Sequence, residues 1–157
     1  MDFDRFQLVD RILNISLESR TIEVEAMVPA ADRVFEGHFP GHPLMPGVLL
    51  IESMAQTTGW LAVAMQNFER MAFLAAVKEA KLRQFITPGQ PLIVRSHVVH
   101  DGSGFTVADA EIHAAGKLAC NATLTLRHMP FPNPKLRDHM ISQGMKIGLQ
   151  PQVAANG

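Results

Sequence analysis

Tyrosine is absent from this chain of 157 residues, and cysteine and tryptophan occur once each. The lone cysteine, Cys120, excludes an internal disulfide framework and fits the reducing conditions of a cytoplasmic protein. Neither charge sign dominates: 14 Lys and Arg stand against 15 Asp and Glu, for a net charge of −1. A nucleic-acid partner needs a broad basic field, so none is expected. The sequence also lacks a phosphate-cradling glycine loop, a dinucleotide fingerprint and a G-x-S-x-G elbow. The opening "MDFDRFQLVD" has no basic stretch followed by an apolar one, which argues against a secretion signal. The longest apolar run, 48–65, is interrupted by Glu52, Gln56, Thr57, Thr58 and Gly59. A membrane span of that length carries few or no charges, so the run reads as a buried helix.

What remains is 47% hydrophobic and 18% charged, the balance of a globular domain long enough to bury a core. "DRFQLVDRILNIS" reads as a short helix passing into a strand. "TIEVEAMV" alternates Ile22, Val24, Ala26 and Val28 against Glu23, Glu25 and Met27, the period of a half-buried strand. The Gly/Pro-rich segment 37–47 suits neither a long helix nor a central strand, and Pro46 fits the first turn of the helix that follows. Four strand-like segments come next: "MAFLAAVKEAKLRQF", "PLIVRSHVVH", "FTVADAEIHAA" and "KLACNATLTLRHM". The second and third flank "DGSG", a hairpin turn. In the last, Leu118, Cys120, Ala122, Leu124 and Leu126 alternate with polar residues. The expectation is one α+β domain over 1–129, an antiparallel sheet of about five or six strands wrapped around one long helix. The Pro-rich segment 130–157 reads as a surface extension, partly disordered. A curved sheet leaves edge strands, and pairing with a second copy covers one of them, which predicts a dimer.

Chemistry concentrates in "FEGHFPGHPLMPGVLLIESMAQ". An ionised carboxylate is costly to bury without a partner, so Glu52 has two readings. It is either an acid reaching solvent or an ion pair, or a functional carboxyl oriented by Gln56 one turn on. Gly47 stands where a helix start leaves backbone N–H groups without acceptors, a place for a carbonyl oxygen to sit. His38 and His42 are separated by Pro40 and Gly41, so no helix aligns them, and no further ligand set points to zinc. His42 reads as structural and His38 as a base for general acid–base work. Four of the other histidines lie on strands and His139 in the tail, in packing or solvated roles. Cys120 points into the core and is no nucleophile. Lys78, Lys81 and Arg83 form either a small basic patch or, by default, an ordinary solvated strand face.

The string "GHFPGHPLMPGVLLIESMAQ" closely resembles the signature of the 3-hydroxyacyl-(acyl-carrier-protein) dehydratases of bacterial type II fatty acid synthesis, the FabZ-like branch most of all. Weaker similarity runs from "LVDR" through "TPGQPL" to "TLTLR". The resemblance implies the hotdog fold, active sites built across a homodimer and often three dimers in a hexamer. It implies His38 as the catalytic histidine, Glu52 as its acidic partner from the other chain, and Gly47 as the N–H donor to the thioester carbonyl. Gln56, Val48, Phe39 and Phe73 would border the substrate. The related dehydratase–isomerase branch typically has Asp in place of Glu52 and Cys in place of Val48, so isomerase activity is not expected. No cofactor or metal is implied. Lys81 and Arg83 would meet the acidic acyl carrier protein. The family often gates its acyl tunnel with tyrosine; here Phe73 or Phe85 would have to serve. The long tail, with "VFEGHFPG" and "HDGSGF", looks like a branch handling very long hydroxyacyl chains for lipid A. Two rival readings stand beside it, a hotdog thioesterase using Glu52 and a non-catalytic acyl-binding protein.

Overall fold

The structure is a computed structural model that describes residues 1–150. Six strands, β1 (Arg11–Ser16), β2 (Thr21–Met27), β3 (Arg70–Leu82), β4 (Pro91–Gly102), β5 (Phe105–Ala114) and β6 (Lys117–Pro130), form one antiparallel sheet in the order β1-β2-β4-β5-β6-β3. Three helices complete it: α1 (Arg33–Gly37), α2 (Gly47–Met65) and α3 (Pro134–Lys146). The sheet curls round α2, which packs against β2 through β6. The alternation read in β2 fills this interface, since Ile22, Val24, Ala26 and Val28 are all buried. They meet Leu50, Met54 and Leu61 of α2, and each side chain larger than alanine contributes about 1.5–3 kcal/mol by leaving water.

The buried polar residues of α2, Ser53, Thr57 and Thr58, do not break the core because each is satisfied within it. Thr57 and Thr58 donate back to the carbonyls of Ser53 and Met54, Thr58 also meets Ser96 at 2.7 Å, and Ser53 donates to Leu8 O at 2.8 Å. By length and composition α2 could cross a membrane, yet its buried face is taken up by the sheet.

The "DGSG" hairpin forms with a two-residue loop, Ser103 and Gly104 at φ 55° and 82°. Positive φ at both positions is what a type I′ turn demands, and it matches the right-handed twist of the flanking strands.

Several local expectations are corrected. Residues 2–7 form a turn closed by paired bonds between Asp2 and Gln7, with no helix. The next residue, Leu8, has its backbone N–H and C=O taken by Gln56 and Ser53 of α2, which leaves nothing for a helical ladder. Pro46 is the N-cap of α2 rather than part of its first turn. Leu118 faces outward, because the register slips so that Ile112 pairs Cys120 and His113 pairs Leu118. Ala119 is the extra residue of that bulge and joins Cys120 in the core. The extension after Met129 is not a frayed coil where it is described. Asn133 caps α3 by accepting from Leu136 N, and Leu149 beyond the helix is only 3% exposed. The rest of that expectation, 151–157, lies outside the described residues.

Candidate functional site

Two clusters of candidate residues come from the sequence string, one at each side of the first turns of α2. The first sits at the start of the helix. Asp32 caps α1 by accepting from Val34 N at 2.9 Å, and α1 ends by delivering His38. The ring Nδ1 of His38 lies 3.0 Å from Leu44 O. A carbonyl only accepts, so Nδ1 carries the proton and Nε2 keeps its lone pair in the neutral imidazole. Phe39 stacks on the ring, centroids 4.0 Å apart. His42 is exposed, and the loop is fastened by its backbone, which exchanges bonds with Phe39.

At the helix start Pro46 provides no side-chain cap. The N–H groups of Gly47 and Val48 therefore have no acceptor among the described residues, and they carry the positive end of the helix dipole. A side chain at position 47 would collide with Leu82 Cδ1. The glycine thus admits the tip of Leu82 against the backbone, a closer apolar neighbour than the open donor site expected. Val48 is 72% exposed.

The second cluster is built round Glu52. Gln56 donates from Nε2 to Glu52 Oε1 at 3.1 Å and to Phe6 O at 2.9 Å, while its Oε1 accepts from Leu8 N at 2.9 Å. Leu8 N–H can bond only to an oxygen, so the amide orientation is fixed and its NH₂ faces the carboxyl. Glu52 Oε2 has no partner among the described residues. Both side chains line a groove of about 640 Å³ that continues past Gly59, Trp60 and Val63. Phe73 stands on the wall of this groove. Phe85 is not among its lining residues and is 83% exposed.

His38, Phe39, Gly47 and Val48 do not border the Glu52 groove. For Gly47 the helix itself sets the separation: Glu52 is five positions on, a turn of about 140° round the axis beyond one full revolution. Within the single chain the two clusters therefore stay separate. Lys78, Lys81 and Arg83 are exposed at the far end of β3, where Arg83 donates from Nε to Asn121 Oδ1 at 2.9 Å. Cys120 is fully buried and burial pushes its thiol up to about 11, with Arg83 pulling the other way. That thiol is protonated at neutral pH, unsuited to attack. Among the described residues no three His, Cys, Asp or Glu side chains are grouped to hold a metal ion.

Sequence reasoning missed the groove's far wall, which includes Trp60, Met140 and Gln143. The signal was present in "NPKLRDHMISQGMK": an Asn cap, proline at the first helical position, then Leu136, Met140, Gln143 and Ile147 three or four apart.

The FabA-like domain family matches residues 2–123. The chain belongs to that family. It is 37% identical over 121 residues to the 3-hydroxyacyl-(acyl-carrier-protein) dehydratase FabZ of Fusobacterium nucleatum, covering 76% of this chain and 84% of that one. Its fold is shared with solved structures too distant to show more than architecture. One is the dehydratase heterocomplex ApeI:P from Xenorhabdus doucetiae, at TM-score 0.63 and 19% identity over 87% of this chain and 90% of that one. Another is a phenylacetic acid degradation-related protein of Ralstonia eutropha, described as a thioesterase, at TM-score 0.61 and 18% identity over 74% of this chain and 82% of that one. Architecture alone does not separate dehydration from thioester hydrolysis; membership of the FabA-like family does the sorting. The match ends inside β6, so α3 lies wholly outside it.

Proposed function

We propose that this chain is a hydro-lyase that reversibly dehydrates (3R)-3-hydroxyacyl-(acyl-carrier-protein) to the trans-2-enoyl thioester, with each active site shared between two chains. The observation that carries the reading is the Glu52 carboxyl, oriented by Gln56 beside an apolar groove, in a member of the FabA-like family. His38 Nε2 of one chain takes the proton from C2. The free N–H of Gly47 stabilises the enolate-like oxygen of the thioester carbonyl as charge develops there. Glu52 of the other chain, protonated, gives its proton to the 3-hydroxyl; the C3–O bond breaks and water leaves. Proton transfer in reverse hydrates the enoyl thioester. Val48 and Phe39 border the substrate at the histidine half-site, and Gln56 and Phe73 at the glutamate half-site.

The dimer that joins the half-sites forms through β3, an edge strand whose Phe73, Leu74 and Val77 are all exposed in the single chain. Exposed apolar residues on an unpaired edge call for a partner. Lys81 and Arg83, at the end of the same strand, face the acidic carrier protein. The enzyme is tested by mass analysis of 3-hydroxyacyl- and enoyl-carrier-protein incubated with the full chain. Loss or gain of one water without free thiol is expected. Free thiol would mean a thioesterase, and no reaction at any chain length a non-catalytic acyl-binding protein.

A further inference from the structure

The groove beside Glu52 has an outer wall that the FabA-like match does not include. That wall is α3 with the residue that ends it: Met140 and Gln143 from the helix and Ile147 just past it. The helix is clamped rather than laid loosely on the surface. Gly144 is buried, and a Cβ there would come within 3.1 Å of Trp60 Cζ3 and 3.4 Å of Phe68. Arg137 donates from Nε to Phe68 O at 2.8 Å, Gln7 Nε2 bonds Gln143 Oε1 at 3.1 Å, and Ile12 N donates to Ile147 O at 2.7 Å. Leu149 then plugs into the cluster of Val63 and Phe68. The indole of Trp60 is thus held against α3, and the same residue lines the groove.

The groove begins at the Glu52–Gln56 pair and follows one stripe of α2 as far as Val63. Eleven residues of helix span ~16 Å at 1.5 Å each. An extended hydrocarbon advances ~1.25 Å per carbon, from a bond of ~1.52 Å and an angle of ~111°, so about a dozen methylenes fit beyond the carbon that Glu52 serves. Ala55, Gly59, Val63 and Met140 offer an apolar path, and the exposed Arg5, His139 and Lys146 stand on its solvent side.

We propose that α3 is the chain-length determinant of this site: Met140 and the Gly144–Trp60 contact set the width and reach of a groove that takes the tail of a long-chain acyl thioester. The proposal rests on the dehydratase reading, and two readouts keep the two separable. The first is the ratio of kcat/KM for fourteen-carbon over four-carbon 3-hydroxyacyl-carrier-protein, in the full chain and its Met140→Phe, Met140→Ala and Met145→Phe variants. Met145 is exposed and does not line the groove. The added bulk in Met140→Phe lowers the ratio about tenfold, Met140→Ala shifts preference toward still longer chains, and Met145→Phe leaves the ratio where it was. The second readout needs no turnover. With one tryptophan and no tyrosine, emission reports Trp60 alone, and it is followed while the 3-hydroxyacyl-pantetheine thioesters of both lengths are added. The fourteen-carbon probe shifts the emission, the four-carbon probe does not, and Met140→Phe blunts the response. An equal Trp60 response to both lengths, or a ratio unmoved in both Met140 variants, overturns the role of α3. Absence of turnover with every thioester overturns the dehydratase reading, and the Trp60 titration then judges the groove by itself.

Discussion

Gln56 shows how much a single amide can decide. Its carbonyl oxygen is committed to Leu8 N–H and its NH₂ is shared between Phe6 O and Glu52. The carboxyl is therefore positioned by the backbone of the N-terminal turn, with the amide as intermediary. Gln56→Ala removes the positioning and orphans Leu8 N–H, whose residue is fully buried. We expect kcat to fall about tenfold or more with KM changing little, since the lost contact orients a proton donor rather than binding substrate. The same variant should lose about 1–3 kcal/mol of stability in urea unfolding, the cost of a buried donor without a partner. An unchanged kcat in a folded variant would show that Glu52 needs no orienting. This contact was partly legible beforehand: the four-residue spacing of Glu52 and Gln56 puts them on one face. The grip of residues 6 and 8 on the amide was not, because contacts between segments some fifty positions apart leave no trace in local pattern.

Among the elements, a largely buried polar relay ties the β4–β5 hairpin to β6. Thr106 donates to Asp101 Oδ1 at 2.9 Å and so accepts from His128 Nε2–H at 2.6 Å. Burial lowers the proton affinity of His128 from the ordinary 6.5, opposed by Asp101 and aided by Arg70. An imidazole that resists protonation when folded binds fewer protons than the unfolded chain, so its contribution is complete above pH 6.5 and is lost as pH falls toward its lower folded value. Urea midpoints should decline between pH 7 and pH 5, and His128→Gln should flatten part of that decline; parallel profiles would remove the histidine from it. Where β3 ends, replacing Lys81 and Arg83 together by Glu should raise KM severalfold for carrier-protein substrates and leave pantetheine thioesters unaffected, as for exposed charges that steer a partner. A KM raised equally for both would place these residues in the acyl site instead. Strands were readable wherever alternation was uninterrupted, as in β2. They misled where a bulge reset the count, as at Ala119, and α3 was hidden because the prolines before it and at its first position made the whole segment read as irregular.

At the level of the whole molecule, the proposed sharing of each site between two chains can be tested through assembly. Chains carrying His38→Ala and Glu52→Gln should each be nearly inactive, with losses of roughly a hundredfold or more. Mixed after dissociation, half the dimers contain one of each chain, and every such dimer keeps one intact site, so activity should recover to about a quarter of wild type. No recovery in a mixture shown to exchange subunits would put histidine and glutamate in the same chain. The fold was largely legible from one apolar helix and a run of strands, but no single-chain pattern encodes which neighbour a residue faces, so a site shared between chains could not be read from it. Only the resemblance carried that expectation.

The chain just past α3 also settles something about growth. Ile147 O accepts from Ile12 N, and Gly148, at φ 101°, lies against Ile12 O, so the strand at one border of the sheet is crossed by the protein's own backbone. A border held at Ile12 by its own chain offers a second sheet fewer free backbone groups than the β3 border does, which disfavours edge-to-edge stacking through β1.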